Sequence, residues 1–227
     1  MPRVTVDLML RETAGNDPFY ADAVREYHRY TQTRMRKFPL IKHDQYGVAL
    51  CVLPESFDAY FMSINGAARR NFRKAKRSGY VFDRIDFNAH LNDVRAIWMS
   101  TDTRQGRVPE YIAKGQVKPV THPPSTSDAH DYPYFGVLKD GKLVAYAGCL
   151  VSGELCAIEQ IYGHVEHQRD GVVPMTIIGT VEHVLEHYPR AKYYTYDTIF
   201  GASETLRRFK RKFGFVPHKV QWVLGEE

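Results

Sequence analysis

From Tyr46 onward the chain alternates between two kinds of hydrophobic spacing. "YGVALCVLP" is a nearly continuous apolar run of strand length, and "YVFDRIDF" alternates with period two, so both read as strands. Between them, "ESFDAYFMSINGAARRNFRKAKRSG" has helical spacing in two segments that meet near Gly66 and stop at Gly79. Asn88 is placed to cap the helix "AHLNDVRAIWMS", because its side-chain oxygen can accept from the free amides of a first turn. "YFGVLKDGKLVAYAGCLVSGELCAIEQIYGH" then holds three strands joined at Asp140-Gly141 and Ser152-Gly153, an antiparallel meander. Ile177, Val181, Val184, Leu185 and Tyr188 form one helical stripe ended by Pro189. A strand ("KYYTYDTI"), a helix ("SETLRRFKRKFG") and a final strand ("FVPHKVQWVL") complete a β-β-β-α-β-α-β order.

Two stretches lack a clear period. Residues 1–45 mix polar and aromatic positions and read as an N-terminal extension with one helix around "FYADAVREYHRYTQTRMRK", ahead of a domain spanning 46–227. Residues 102–132 carry glycines, prolines, serines and histidines and are too long for an idle connection, which points to a functional loop. Within it, Arg104 and Arg107 are candidates for holding an anionic group of a substrate.

Composition narrows the class. At 227 residues, with 44% apolar and 25% charged content, the chain is expected to fold as one globular domain with a sizeable core. No apolar run is long enough to span a membrane and the N-terminus lacks a secretory pattern, so the expected location is the cytoplasm. Cys51, Cys149 and Cys156 are odd in number, lie in apolar runs and read as buried thiols. The net charge of +5 is concentrated: "RRNFRKAKR" puts six basic residues within residues 69–77. Ile64, Ala68, Phe72 and Ala75 fall on the opposite side, giving an amphipathic helix within 66–79. Its basic face is either a solvated surface or a dock for phosphates, tRNA or another anionic surface.

The candidate chemistry starts at "HQRDGVVPM", residues 167–175, a charged glycine turn ahead of a helix. Pro174 suits a first helical turn, and Val173 offers no capping oxygen, so the first-turn amides need another partner. An anion would satisfy them, helped by the helix dipole and Arg169, whereas Asp170 opposes it unless its side chain is directed elsewhere. The pairs His164/His167 and His183/His187 lack a third ligand, so no metal is expected. Neither a G-x-S-x-G elbow nor a Walker loop is present.

The element order, the glycine turn after the third meander strand and "FKRKFGF" near the C-terminus together resemble the GNAT acyltransferase superfamily over residues 46–224. The resemblance implies a mixed, mostly antiparallel central sheet flanked by helices. It also implies a pyrophosphate-binding turn of pattern Q/R-x-x-G-x-G/A, here Gln168, Arg169, Asp170, Gly171, Val172 and Val173, with a valine in the last, small position. The tyrosine that serves many such enzymes as an acid is replaced by Lys210, taken here with the cofactor-binding set. "YDTIFGASETLRRFKRKFGF" is similar instead to the D-x-x-x-(G)…F-K-x-x-F-G signature of the FemAB-like branch, which transfers acyl or aminoacyl groups to amines.

The function implied is N-acyl transfer, with acetyl, from acetyl-CoA or another acyl-CoA as cosubstrate to a small-molecule or peptidic amine by direct attack. A carboxylate must then take a proton from the amine, and Asp197 and Glu159 are the candidates, with Tyr162 on the strand that leads to His164 as a further catalytic residue. Two readings compete: aminoacyl-tRNA as the donor, and a non-catalytic binding module built on the same scaffold.

Overall fold

The computed structural model describes residues 1–13, 18–35, 38–101 and 110–225. The strands are β1 (Arg3–Asp7), β2 (Tyr46–Val52), β3 (Val81–Ile85), β4 (His130–Asp131), β5 (Tyr134–Lys139), β6 (Lys142–Ser152), β7 (Leu155–Gly163), β8 (Tyr193–Thr198) and β9 (Val216–Val223). The helices are α1 (Pro18–Gln32), α2 (Phe57–Ser63), α3 (Gly66–Arg77), α4 (Leu91–Met99), α5 (Glu110–Ala113), α6 (Val172–His187) and α7 (Glu204–Arg211).

Helix starts follow local side-chain chemistry. Ser56 accepts from the Ala59 amide at 3.3 Å, Asn65 from Ala67 at 2.8 Å, and Ser203 from Leu206 at 3.2 Å. Asn88 does not cap α4, contrary to the expectation from sequence. Asp86 accepts from the Asn88 amide at 2.9 Å and starts a short 3-10 segment, Phe87–His90, ahead of the helix. The Asn88 side chain instead pairs with both backbone groups of Val120, each at 2.8 Å, and ties down the long loop.

Among the described residues the sheet runs β1-β9-β2-β8-β7-β6-β5-β3, with β4 added alongside β6. β1/β9 and β7/β8 are parallel and the other pairs antiparallel, so the sheet is mixed and mostly antiparallel, as expected. The stretch read as an N-terminal extension supplies the edge strand β1 and helix α1 to this same sheet.

Two irregularities position the site. The parallel ladder between β7 and β8 pairs Leu155, Cys156 and Ala157 with Tyr193, Tyr194 and Thr195, then stops, although β7 continues to Gly163 and β8 to Thr198. The strands therefore part in the middle of the sheet. Just there, β7 bulges against β6: Ile158 pairs with Cys149 and Gln160 with Gly148, leaving Glu159 as the extra residue.

Alternation along β6 divides the core. Ala145, Ala147, Cys149 and Val151 face a large cluster with α2, α3 and α6, in which Ile64, Ala68, Phe72 and Ala75 are buried as their spacing predicts. Each large apolar side chain buried there contributes ~1.5–3 kcal/mol. On the other face, α1 covers β2 and β9 through Val24, Val48, Leu50, Val220 and Trp222. Further along that face α4 and α5 cover β5 and β6 through Ile97, Trp98, Ile112 and Tyr146. All three cysteines are buried and free, and no described helix is long and apolar enough to cross a membrane.

Candidate functional site

The glycine turn lies at the start of α6. Gly171 has φ 88°, a left-handed conformation that glycine adopts without penalty, and a Cβ there would lie 2.7 Å from the carbonyl oxygen of Asn71 in α3. Gly171 is thus required by packing against α3. The helix begins at Val172, so Pro174 stands third in it, and no side chain caps its amides. Gln168 and Arg169 are exposed, whereas the Val172 side chain is buried, leaving only its backbone to serve a ligand. Val173 occupies the pattern's small position because Gly163 across from it has no side chain: a Cβ on Gly163 would lie 2.7 Å from Val173 Cγ2.

Asp170, which would oppose an anion, is drawn aside. Its carboxylate accepts from Lys74 Nζ at 2.8 Å and from the Tyr80 hydroxyl at 2.9 Å, and these bonds hold its pKa below the usual value. Lys74 also donates to the Arg169 carbonyl at 2.8 Å. The basic helix α3 therefore adjoins the turn, with Arg70, Arg73, Lys76 and Arg77 exposed beside it.

On the opposite face, between α1 and the α4/α5 group, a cavity of about 710 Å³ opens where β7 and β8 part. Glu159 and Asp197, the two candidate carboxylates, both line it. The bulge lets consecutive residues Glu159 and Gln160 engage Tyr132 and Tyr134 of one aromatic cluster: Tyr132 donates to Glu159, and Gln160 donates to Tyr134 at 3.2 Å. Surrounding protein raises the Glu159 pKa, and the Tyr132 hydrogen bond partly offsets this. Asp197, the last residue but one of β8, has φ 51° and is one of four described non-glycine residues with positive φ.

Three further lining residues escaped the sequence reading. Asp44, in the turn before β2, also has positive φ (48°), and its carboxyl is pushed up to about 6 by burial and then by the Asp197 charge, with Lys210 opposing. Glu26 comes from α1. His122 comes from the long loop; its ring stands 4.9 Å from Phe19 and 4.4 Å from Tyr132, and burial lowers its pKa. A recurrence of Phe19, Ala23, Tyr27 and Tyr30 at helical spacing, with Asp22 and Glu26 beside them, was the available signal for α1.

Other expected site residues stand elsewhere. Lys210 is 1% exposed, and its Nζ donates to the carbonyls of Tyr196 at 2.6 Å and Thr198 at 3.0 Å. It is a buried tie beneath the end of β8, in place of the cofactor contact expected. Tyr162 packs against Trp98 and Tyr146 in the α4 cluster and is outside the cavity lining. Arg104 and Arg107 lie outside the described residues.

No protein-family model matches the chain, and no curated protein sequence does. Solved structures do. The C-terminal domain (DUF2156) of a protein assigned as a lysylphosphatidylglycerol synthetase from Agrobacterium fabrum aligns at TM-score 0.50 and 17% identity, over 76% of this chain and 58% of that one. FemX aligns at TM-score 0.57 and 12% identity, over 78% of this chain and 61% of that one. The chain thus spans less than two thirds of either solved chain. These likenesses concern architecture alone, and at that level the chain has the GNAT-like mixed, mostly antiparallel sheet flanked by helices that its sequence implies.

Proposed function

We propose that the protein transfers an acyl group from an acyl thioester to an amine acceptor seated in the cavity. The observation that carries this reading is the parting of β7 and β8 directly beside Glu159 and Asp197, with the uncapped start of α6 packed against Gly163, the end of β7, on the other face of the sheet. A parted ladder leaves backbone groups that strand pairing no longer uses, the kind of fixed donor that stabilises a developing oxyanion.

In this reading a neutral amine attacks the thioester carbonyl, a C–N bond forms, the C–S bond breaks, and the departing thiolate takes up a proton. Asp197 accepts the amine's proton, and Glu159, oriented by Tyr132, is the second carboxylate within the same cavity. The acyl-CoA pyrophosphate would rest on the amides of Val172 and Val173 beside Arg169. The withdrawal of Asp170 onto Lys74 and Tyr80 supports that fit.

A second reading keeps the chemistry and changes the donor to aminoacyl-tRNA. It is favoured by the exposed basic face of α3 adjoining the turn through Lys74, and by the likeness to FemX. Titrations of acetyl-CoA and of tRNA at low and high salt separate the two, because contacts to a nucleic-acid backbone weaken steeply with salt. Saturable acetyl-CoA binding with a shallow salt response supports the first reading, and steeply salt-dependent tRNA binding without acetyl-CoA binding supports the second.

A further inference from the structure

The cavity's wall is unlike the rest of the molecule. The chain carries a net charge of +5, yet Asp22, Glu26, Asp44, Glu159 and Asp197 line the cavity, and no lysine or arginine is among its described lining residues. Asp22 sits at the rim and pairs with Arg25 at 3.3 Å. The other four carboxylates form no salt bridge among the described residues, and the nearby charge of Lys210 is committed to two backbone carbonyls. Like charges gathered in one cavity repel one another even where solvent reaches them, as it does Asp22, Glu26, Glu159 and Asp197, and a cation among them lowers that repulsion.

Two independent features point to a ligand of matching chemistry. Phe19, Tyr27, Tyr30 and Tyr132 add aromatic rings to the same wall, and aromatic faces attract ammonium groups. His122 Nδ1, a buried nitrogen of a lining residue, has no hydrogen-bond partner among the described residues; in the neutral tautomer protonated at Nε2 it is an acceptor that an N–H donor would satisfy.

Resting on the acyl-transfer reading above, we infer that the acceptor is a polycation: an amine bearing at least one further ammonium group besides the nitrogen that is acylated. The attacking nitrogen must be neutral when the C–N bond forms. A monoamine would therefore leave the carboxylates without any cation during the reaction, whereas a diamine keeps one ammonium among Glu26, Asp44 and the aromatic wall while its other end, deprotonated by Asp197, attacks the thioester. The proton passes to the carboxylate and the leaving thiolate takes one in turn, so charge and atoms balance.

The test is calorimetric titration of the full chain, without donor, using cadaverine, pentylamine and ε-aminocaproate. These probes share an aliphatic amine and differ in whether the far end is cationic, neutral or anionic. Cadaverine should bind at least about tenfold more tightly than pentylamine, with ε-aminocaproate weakest, because only the second charge differs. Glu26→Gln, checked for an unchanged melting curve, should narrow that ratio. Equal affinity for pentylamine and cadaverine, or preference for ε-aminocaproate, overturns the inference. Acyl transfer to pentylamine as fast as to cadaverine overturns it too while leaving the acyltransferase reading intact. Preferential cadaverine binding with no transfer from any donor removes the acyltransferase reading, and with it the polyamine's role as acceptor, and leaves only a cation-selective cavity.

Discussion

Lys210 Nζ donates to the carbonyls of Tyr196 and Thr198, the two residues that flank Asp197. One buried ammonium thus grips the backbone on both sides of the candidate base and holds it in its left-handed conformation near the end of β8. This joins the two ends of the "D…FK" pattern read from the sequence, and it gives the lysine a positioning role. Lys210→Met should remove a charge-assisted bond from each of two part-buried carbonyls, destabilise the fold by about 1–3 kcal/mol and lower kcat with little change in donor affinity. Thermal melts and steady-state kinetics on the folded variant check both parts.

Asp197 itself should be dispensable for folding. Ser203 caps the helix that follows, so no capping duty falls to the aspartate. Asn tolerates the left-handed conformation nearly as well as Asp. Asp197→Asn is expected to keep the melting temperature and to cut turnover about a hundredfold or more. A variant that melts early yet turns over normally when folded would assign Asp197 to the scaffold and leave Glu159 as the base.

Much of the architecture was legible because it is local. The meander, the α6 stripe and the Gly66 break between α2 and α3 are each stated by a period and a turn within a few tens of residues. β1 was not: its five residues pair in parallel with β9 at the far end of the chain, and no local pattern announces so distant a partner. The Glu159 bulge depends on cross-strand register, which the sequence of β7 alone does not contain. Asp44, His122 and Tyr132 come from aperiodic segments whose placement is set by tertiary contacts, such as the Asn88 grip on Val120 and the bond from Trp222 Nε1 to the Asp44 carbonyl.

The pH dependence of stability should reveal Asp44. Its folded pKa of about 6 exceeds the ordinary 3.8, so the folded state favours the neutral acid, and ionisation above about 6 opposes folding. Asp44→Asn is therefore expected to stabilise the protein near neutral pH by about 1–2 kcal/mol, with the advantage shrinking as pH falls toward the ordinary carboxylate value. Denaturant titrations at several pH values read this directly, and a constant difference across the range contradicts it.

Tyr132→Phe removes the hydrogen bond that lowers the Glu159 pKa, so that pKa should rise. If Glu159 contributes to proton transfer, the acid limb of kcat/KM moves to higher pH in the variant. An unmoved limb with reduced kcat would confine Tyr132 and Glu159 to shaping the cavity.

Gly171 is a poor probe of donor binding, since any side chain there meets Asn71 and adopts a strained φ. Gly171→Val should destabilise by about 2 kcal/mol or more whatever the donor. Arg169→Ala is the cleaner substitution: the side chain is exposed, so the melting curve should hold while acetyl-CoA affinity falls about fivefold. An unchanged affinity would remove Arg169 from the donor site.

The central claim is that an amine in the acidic cavity is acylated with Asp197 as the base. Its most direct test follows a labelled acyl group into cadaverine, offered separately from acetyl-CoA and from aminoacyl-tRNA, with wild-type protein and with Asp197→Asn of equal melting temperature. The account predicts amine-dependent transfer from acetyl-CoA that falls about a hundredfold in the variant. Equal rates in the two proteins, or no amine-dependent transfer from either donor by folded wild-type protein, would contradict it.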